Sequence, residues 1–303
     1  MNMIKRLCII AAAIALWVTP AQAQDKLKAV ASTSIIGDLV KNVGGDRVEL
    51  ATLVGPNSDA HVFSPTPAHA KTLAAAKVVF VNGLGLEGWM TRLVKSSGTK
   101  AATVVATAGI APRKAEEAGH GHGHSHSHGP DPHAWQSVAN VKLYVANIRN
   151  GLKAADPAGA AAYDANAKAY LEKLDALEGE VKAAIGKIPA DRRKIITTHD
   201  AFGYFGAAYG VQFIAPVGVS GDAEPSAKDV AKIIAQVKRQ KIPAVFMENI
   251  SDQRMMEQIA RETGAKIGGT LYSDALSDAG GPAATYIDMM RNNVSELAKA
   301  LAN

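Results

Sequence analysis

The sequence predicts an α/β protein built as two parallel-sheet lobes joined by a long rigid connecting helix, with a cleft between the lobes. Three observations carry this expectation: short apolar runs alternate with helix-periodic stretches, the alternation occurs twice, and one long amphipathic segment separates the two halves. The 303 residues are 48% hydrophobic and 20% charged, which is enough apolar material for two units with real cores. Glycine and proline near average usage exclude a collagen-like or linker-dominated chain.

The first element is a leader. Lys5 and Arg6 give a positive start, Leu7 to Val18 an apolar run too short to span a bilayer comfortably, and Ala21-Gln22-Ala23 small residues at the cleavage positions. Residues 1–23 therefore read as a signal peptide cleaved after Ala23, which places the mature chain in a bacterial periplasm. Cys8, the only cysteine, lies inside the apolar run rather than at its end, so it suits neither lipid attachment nor a disulfide.

Residues 24–155 form the N-terminal lobe. Strands are expected near Leu27 to Ser32, Val48 to Val54, Val78 to Asn82 and Ala102 to Ala106, with helices near Ile35 to Val43, Pro67 to Ala75 and Leu86 to Val94. Residues 116–129 interleave glycine and serine with His120, His122, His124, His126 and His128, a composition that builds no core and predicts a mobile surface loop. Asp156 as N-cap and Pro157 at the first helical position open the connecting helix, 156–188, which closes before Pro189. Its residues Tyr163, Ala167, Tyr170, Leu174, Leu177, Val181, Ala184 and Ile188 step by three or four, as one helix face requires. Residues 189–303 form the C-terminal lobe, with strands near Lys194 to Thr198, Val211 to Val217, Ala244 to Glu248 and Lys266 to Leu271.

Charge excludes one class of partner. The excess of 33 basic over 28 acidic residues is mild and no basic face is clustered, so no nucleic acid is expected.

Nine histidines remain to be explained, five of them in the loop. His61 stands in Gly55-Pro56-Asn57-Ser58-Asp59-Ala60-His61, beyond the second strand. His133 stands in Asp131-Pro132-His133-Ala134-Trp135, and His199 follows the first strand of the second lobe in Thr197-Thr198-His199-Asp200. Asp274, in Leu271-Tyr272-Ser273-Asp274-Ala275, follows the last strand. All four lie beyond carboxyl ends of expected parallel strands, where such sheets place their ligands. Three imidazoles and one carboxylate make a four-coordinate N/O set suited to zinc, with bonds of about 2.0 to 2.2 Å. The spacing equally allows histidine and aspartate placed beside turns for backbone hydrogen bonding. His69 reads as an exposed or capping helix residue.

The Asp59-Ala60-His61 loop running into Ser64-Pro65-Thr66-Pro67, Asp131-Pro132-His133-Ala134-Trp135, Thr198-His199-Asp200-Ala201-Phe202-Gly203-Tyr204-Phe205 and Glu224-Pro225-Ser226 resemble the metal-binding solute receptors of bacterial ABC importers for zinc and manganese. The resemblance covers essentially the whole mature chain. It implies two Rossmann-like lobes joined by a rigid helix, one metal ion in the inter-lobe cleft, and His61, His133, His199 and Asp274 as ligands. Manganese-type members of the family carry a glutamate where this sequence has His199, and softer imidazole suits zinc. Glu224 reads as a surface turn leading into a helix, and Asp59 as either a residue behind a ligand or a surface residue. The loop histidines imply auxiliary, weaker zinc capture. Expected partners are an ABC permease membrane subunit with its ATPase and a periplasmic zinc metallochaperone as donor, the chain itself being a monomer. Because the connecting helix resists hinging, metal uptake and release are expected from rearrangement of the loops around His133 and Asp274.

The function expected is thus a periplasmic high-affinity zinc receptor, with a manganese receptor as the alternative. No Gly-x-x-x-x-Gly-Lys-Ser/Thr loop is present, so the energy for transport must come from the partners. A zinc-dependent hydrolase using Glu248 or Asp200 as base is the competing class. It lacks both a His-Glu-x-x-His helix and a Gly-x-Ser-x-Gly elbow, so no enzyme is expected.

Overall fold

A computed structural model describes residues 25–114, 129–219 and 226–302. The leader, 1–23, the loop histidines His120, His122, His124, His126 and His128, and Glu224 lie outside the described residues.

Each half of the chain builds a four-stranded parallel sheet. In the first, β1 (Leu27–Thr33) lies between β2 (Val48–Val54) and β3 (Val78–Val81), with β4 (Ala102–Val105) beyond β3. The second repeats the order, β5 (Lys194–Ile196) lying between β6 (Gln212–Ile214) and β7 (Ala244–Glu248), with β8 (Lys266–Leu271) beyond β7. β1 and β3 read as near-continuous apolar runs because helices cover both faces of such sheets. Winding reverses at the first strand of each sheet, so a crevice opens at the carboxyl ends of the central strands.

The helices follow from local signals. α1 (Ser34–Gly44) starts where the Thr33 hydroxyl accepts from the Ile36 amide, and α2 (Pro67–Ala75) has proline at its first position. α3 spans Met90–Ser97, starting later than the expected Leu86, because Gly83, Leu84 and Gly85 all adopt positive φ and hold a turn there. α4 (Val138–Ala155) leads into α5 (Ala160–Gly186), the connecting helix, whose 27 residues run about 40 Å.

Two details of that helix differ from expectation. Pro157–Gly159 form a 3-10 turn, and the Asp156 carboxylate does not cap it; Oδ2 instead accepts from the Arg47 guanidinium at 2.9 Å and the Tyr163 hydroxyl at 2.7 Å. Within the stripe Ile185 is buried in place of the expected Ala184, and Ile188, just beyond the helix, is buried as expected. In the second lobe, α6 (Gly203–Tyr209), α7 (Ala227–Gln240), α8 (Arg254–Thr263) and α9 (Tyr286–Leu301) complete the layers. β6 is shorter than the expected Val211 to Val217, and Val217 instead makes an isolated bridge to His199.

α5 packs on α1, α4 and α9, so it touches both halves. One apolar core accordingly runs from β1 and β3 through Tyr163, Leu174 and Leu177 to Tyr286, Phe246 and Leu271. A second, smaller core containing Ile196, Val245, Ile233 and Ile259 lies beneath α7 and α8. Among the described residues no helix is long and apolar enough to cross a membrane.

Candidate metal centre

The irregular segment after β2 carries His61, and its backbone amide donates to Asp59 Oδ1 at 2.7 Å. The segment ends at α2, where His69 Nδ1 accepts the Thr66 amide at 2.9 Å, so His69 is a capping residue. His133 opens the 3-10 turn before α4; its amide donates to Asp131 Oδ1 at 2.9 Å, and its ring Nδ1 lies 2.8 Å from the same oxygen. His199 directly follows Thr198 at the end of β5. Glu248, the last residue of β7, accepts the Thr198 and His199 amides at Oε1 (2.7 and 3.0 Å) and meets His199 Nδ1 at Oε2 (2.6 Å). Asp274 lies beyond β8, and the preceding carbonyl of Ser273 accepts from both Trp135 Nε1 and Gln136 Nε2 at 2.9 Å.

These elements bring the four expected residues to one point, with donor atoms all within 4.8 Å of one another. His61 Nε2 lies 3.3 Å from His133 Nε2, His133 Nε2 lies 3.3 Å from Asp274 Oδ1, and Asp274 Oδ2 lies 3.0 Å from His199 Nε2 and 3.6 Å from His61 Nε2. A tetrahedral site with bonds of about 2.0 to 2.2 Å has edges of about 3.3 to 3.6 Å. Three of these four distances fall in that range and the fourth, between His199 and Asp274, is shorter. His133, His199 and Asp274 are buried, and His61 retains 7% side-chain exposure.

Electrostatics divides the histidines. At His133 burial opposes the charge, but Asp274 and Asp131 outweigh it and raise the ring to about 9. At His199 burial likewise opposes the charge, and Glu248 and Asp274 raise it well above the ordinary range. Burial favours a neutral Asp274, yet His199 and His133 hold its carboxyl well below the usual range. For His61 burial dominates and pushes the ring down to about 4. The outermost imidazole is therefore neutral, and the two deep ones hold protons that a cation binding there would have to displace.

Sequence reasoning missed the partners of the two deep rings. An imidazole that ligates a metal through Nε2 is oriented by what holds Nδ1, and Asp131 and Glu248 do this here. Asp131 was visible as the first residue of Asp-x-His. Glu248, considered above as a base, instead faces the far side of His199. Asp200 lines a separate polar groove with Arg193 and Phe213.

The family model of the zinc-uptake complex component A periplasmic proteins, ZnuA, matches residues 29–300. This chain belongs to the ZnuA family. It is therefore a metal-binding substrate protein of an ABC importer, extracytoplasmic and not an enzyme. The ZnuA-family chain is 35% identical to a manganese-binding lipoprotein of Halalkalibacterium halodurans over 91% of its own length and 89% of the relative's. It is 33% identical to an iron-binding protein of Yersinia pestis, over 92% and 88%. Among solved structures, the periplasmic zinc-binding protein of Treponema pallidum superposes with a TM-score of 0.83 at 30% identity, covering 92% of this chain and all of that one.

Proposed function

We propose that this receptor binds one metal ion through His61, His133, His199 and Asp274, that the ion is zinc, and that it is delivered to the importer's membrane permease and ATPase subunits. The observation that carries the reading is the convergence of three imidazole nitrogens and one carboxylate, buried or nearly so, within 4.8 Å of one another. Three nitrogens among four donors favour zinc over the harder manganese ion. The leader, once removed after Ala23, leaves a freely diffusing periplasmic monomer. His120, His122, His124, His126 and His128 then serve as a weak auxiliary zinc store, loaded by solution zinc or by a periplasmic metallochaperone.

Manganese is the second reading, and kinship supports it better: manganese and iron names predominate among the relatives. One geometric feature supports it as well. Asp274 turns both carboxylate oxygens toward the other donors, so a fifth bond is within reach.

Affinity alone does not decide between the two, because N/O sites in general bind zinc more tightly than manganese. The test has two parts. Metal-free mature protein, with and without residues 116–129, is titrated with zinc against a chelator beside His61→Ala; one tight zinc that survives loop deletion and is lost in the variant supports the cleft site. Tight zinc lost with the loop would move the affinity to the histidine tract. Cells lacking the chain are then compared for zinc and manganese uptake under metal limitation. A defect in zinc uptake alone is expected, and a defect in manganese alone would install the alternative.

A further inference from the structure

The segment that carries His61 reaches across the cleft at one residue. Asn57 donates its backbone amide to the Leu276 carbonyl at 2.9 Å and its side-chain Nδ2 to Asp278 Oδ2 at 2.9 Å, and its Oδ1 accepts from Asn249 Nδ2 at 3.2 Å. Each of these partners lies just beyond a carboxylate of the site. Asn249 follows Glu248, and Leu276 and Asp278 follow Asp274. Asn57 thus ties the mouth of the N-terminal lobe to both acidic loops of the C-terminal lobe. It does so from a left-handed backbone conformation, φ 51°, which asparagine tolerates better than most residues.

The other bonds across the cleft are of a different kind. Trp135 and Gln136, which hold Ser273, are buried, as is Ser34, whose hydroxyl accepts the Leu276 amide at 3.0 Å. The side-chain bonds of Asn57 are exposed. On the near side, Trp89 Nε1 donates to the buried carbonyl of Ala60 at 2.8 Å, which anchors the chain immediately before His61. Between the end of β2 and that anchor only residues 55–59 are left to move. Exposed hydrogen bonds open at far lower cost than buried ones, so among the described residues this short flap is the most weakly held closure of the cleft, and it adjoins the partly exposed His61.

We propose that Asn57 is the latch of the metal site: its bonds to Asp278 and Asn249 hold residues 55–59 shut and set how fast metal exchanges, without supplying a donor atom. This rests on the reading of the four-residue cluster as the metal site. It moves the point of metal release from the His133 and Asp274 loops, both strapped by buried bonds, to the His61 side.

Asn57→Gly keeps the left-handed backbone and removes both side-chain bonds. Full-length mature protein is loaded with zinc, and dissociation and association rates are followed by stopped flow with a fluorescent chelator; unchanged circular dichroism confirms folding. A latch that adds no donor speeds both directions alike. Both rates should rise about tenfold, the loss of roughly one net hydrogen bond, with equilibrium affinity within about threefold of wild type. Asn57→Asp, which sets a second carboxylate against Asp278, should behave likewise, and pairing it with Asp278→Asn should restore slow exchange. Tight zinc exchanging at wild-type rates in Asn57→Gly would overturn the latch alone. A rise in dissociation without association would also overturn it, since that is the mark of a weakened donor set. Wild-type protein without tight zinc at the cleft would instead overturn the metal-site reading, and the latch with it.

Discussion

The pattern Asp-x-His occurs twice in the N-terminal lobe, as Asp59-Ala60-His61 and Asp131-Pro132-His133, and the two copies begin identically. In both, the aspartate Oδ1 accepts the histidine's backbone amide, at 2.7 and 2.9 Å. They then diverge, because Asp131 also takes the ring of His133 at 2.8 Å, whereas the ring of His61 meets His133 on its own lobe and Asp274 across the cleft. One histidine is fixed from behind by a carboxylate and buried; the other stands at the mouth beside a short flap. Across the cleft, Glu248 gives His199 the same backing from another strand. The comparison teaches that the cluster is graded, with two deep nitrogens backed by carboxylates and one at the edge, beside the proposed latch.

Stability should break or confirm this grading most strongly. Removing a deep histidine leaves buried carboxylates uncompensated, Asp131 and Asp274 in His133→Ala, Glu248 and Asp274 in His199→Ala. Each variant should lose about 3 to 5 kcal/mol in urea unfolding of the metal-free protein. His61→Ala should unfold close to wild type while also losing tight metal. Equal losses in all three would erase the distinction.

The next effect is on affinity. Asp131→Asn and Glu248→Gln keep shape but remove the charge behind each deep ring, and should weaken zinc by about 10- to 100-fold in chelator competition. Asp59→Asn, in the other copy of the pattern, should cost less than about tenfold, since its contact is to a backbone amide. A loss at Asp59 as large as at Asp131 would show that the two copies work alike.

The subtlest effect is on pH dependence, where two signs oppose. His133 and His199 titrate above the ordinary 6.5, His133 at about 9, so the metal-free protein holds protons there at pH 7. Zinc must displace them, so binding tightens as pH rises from 6 to 9, and about two protons are released per zinc at pH 7. The same raised values stabilise the metal-free fold below 6.5, and that contribution is lost as pH rises through about 9. Between pH 6.5 and 9 the metal-free protein should therefore melt progressively lower while zinc binds progressively tighter. Calorimetry in buffers of different ionisation enthalpy measures the protons; release near zero would mean that the deep rings are neutral before metal arrives.

Much of this was legible in the sequence because it is local. Strand positions followed from apolar runs and α5 from its stepped apolar residues, while the four residues proposed as ligands stood out by lying beyond strand ends and by the resemblance to the receptor family. The winding point explains why those loops converge. What was not legible depends on neighbours in space. That Glu248 lies behind His199 requires β7 to pair with β5, a contact 49 residues apart in the chain. Nothing in the sequence around Asn57 marks it, and its contacts to Asn249 and Asp278 become visible only when the two lobes are brought together. The metal's identity was read from donor softness, and the relatives' names show that kinship does not follow softness alone.

The core that runs unbroken along α5 has a further consequence for traffic at the membrane. Two lobes that share one interior should have little freedom to close like a jaw, so loaded and unloaded molecules are expected to present nearly the same outline. A permease must then tell cargo from no cargo by the few side chains at the mouth, and an unloaded molecule competes for the same berth. Under scarcity, the throughput of the importer depends on the ratio of full to empty receptors as well as on the number of full ones.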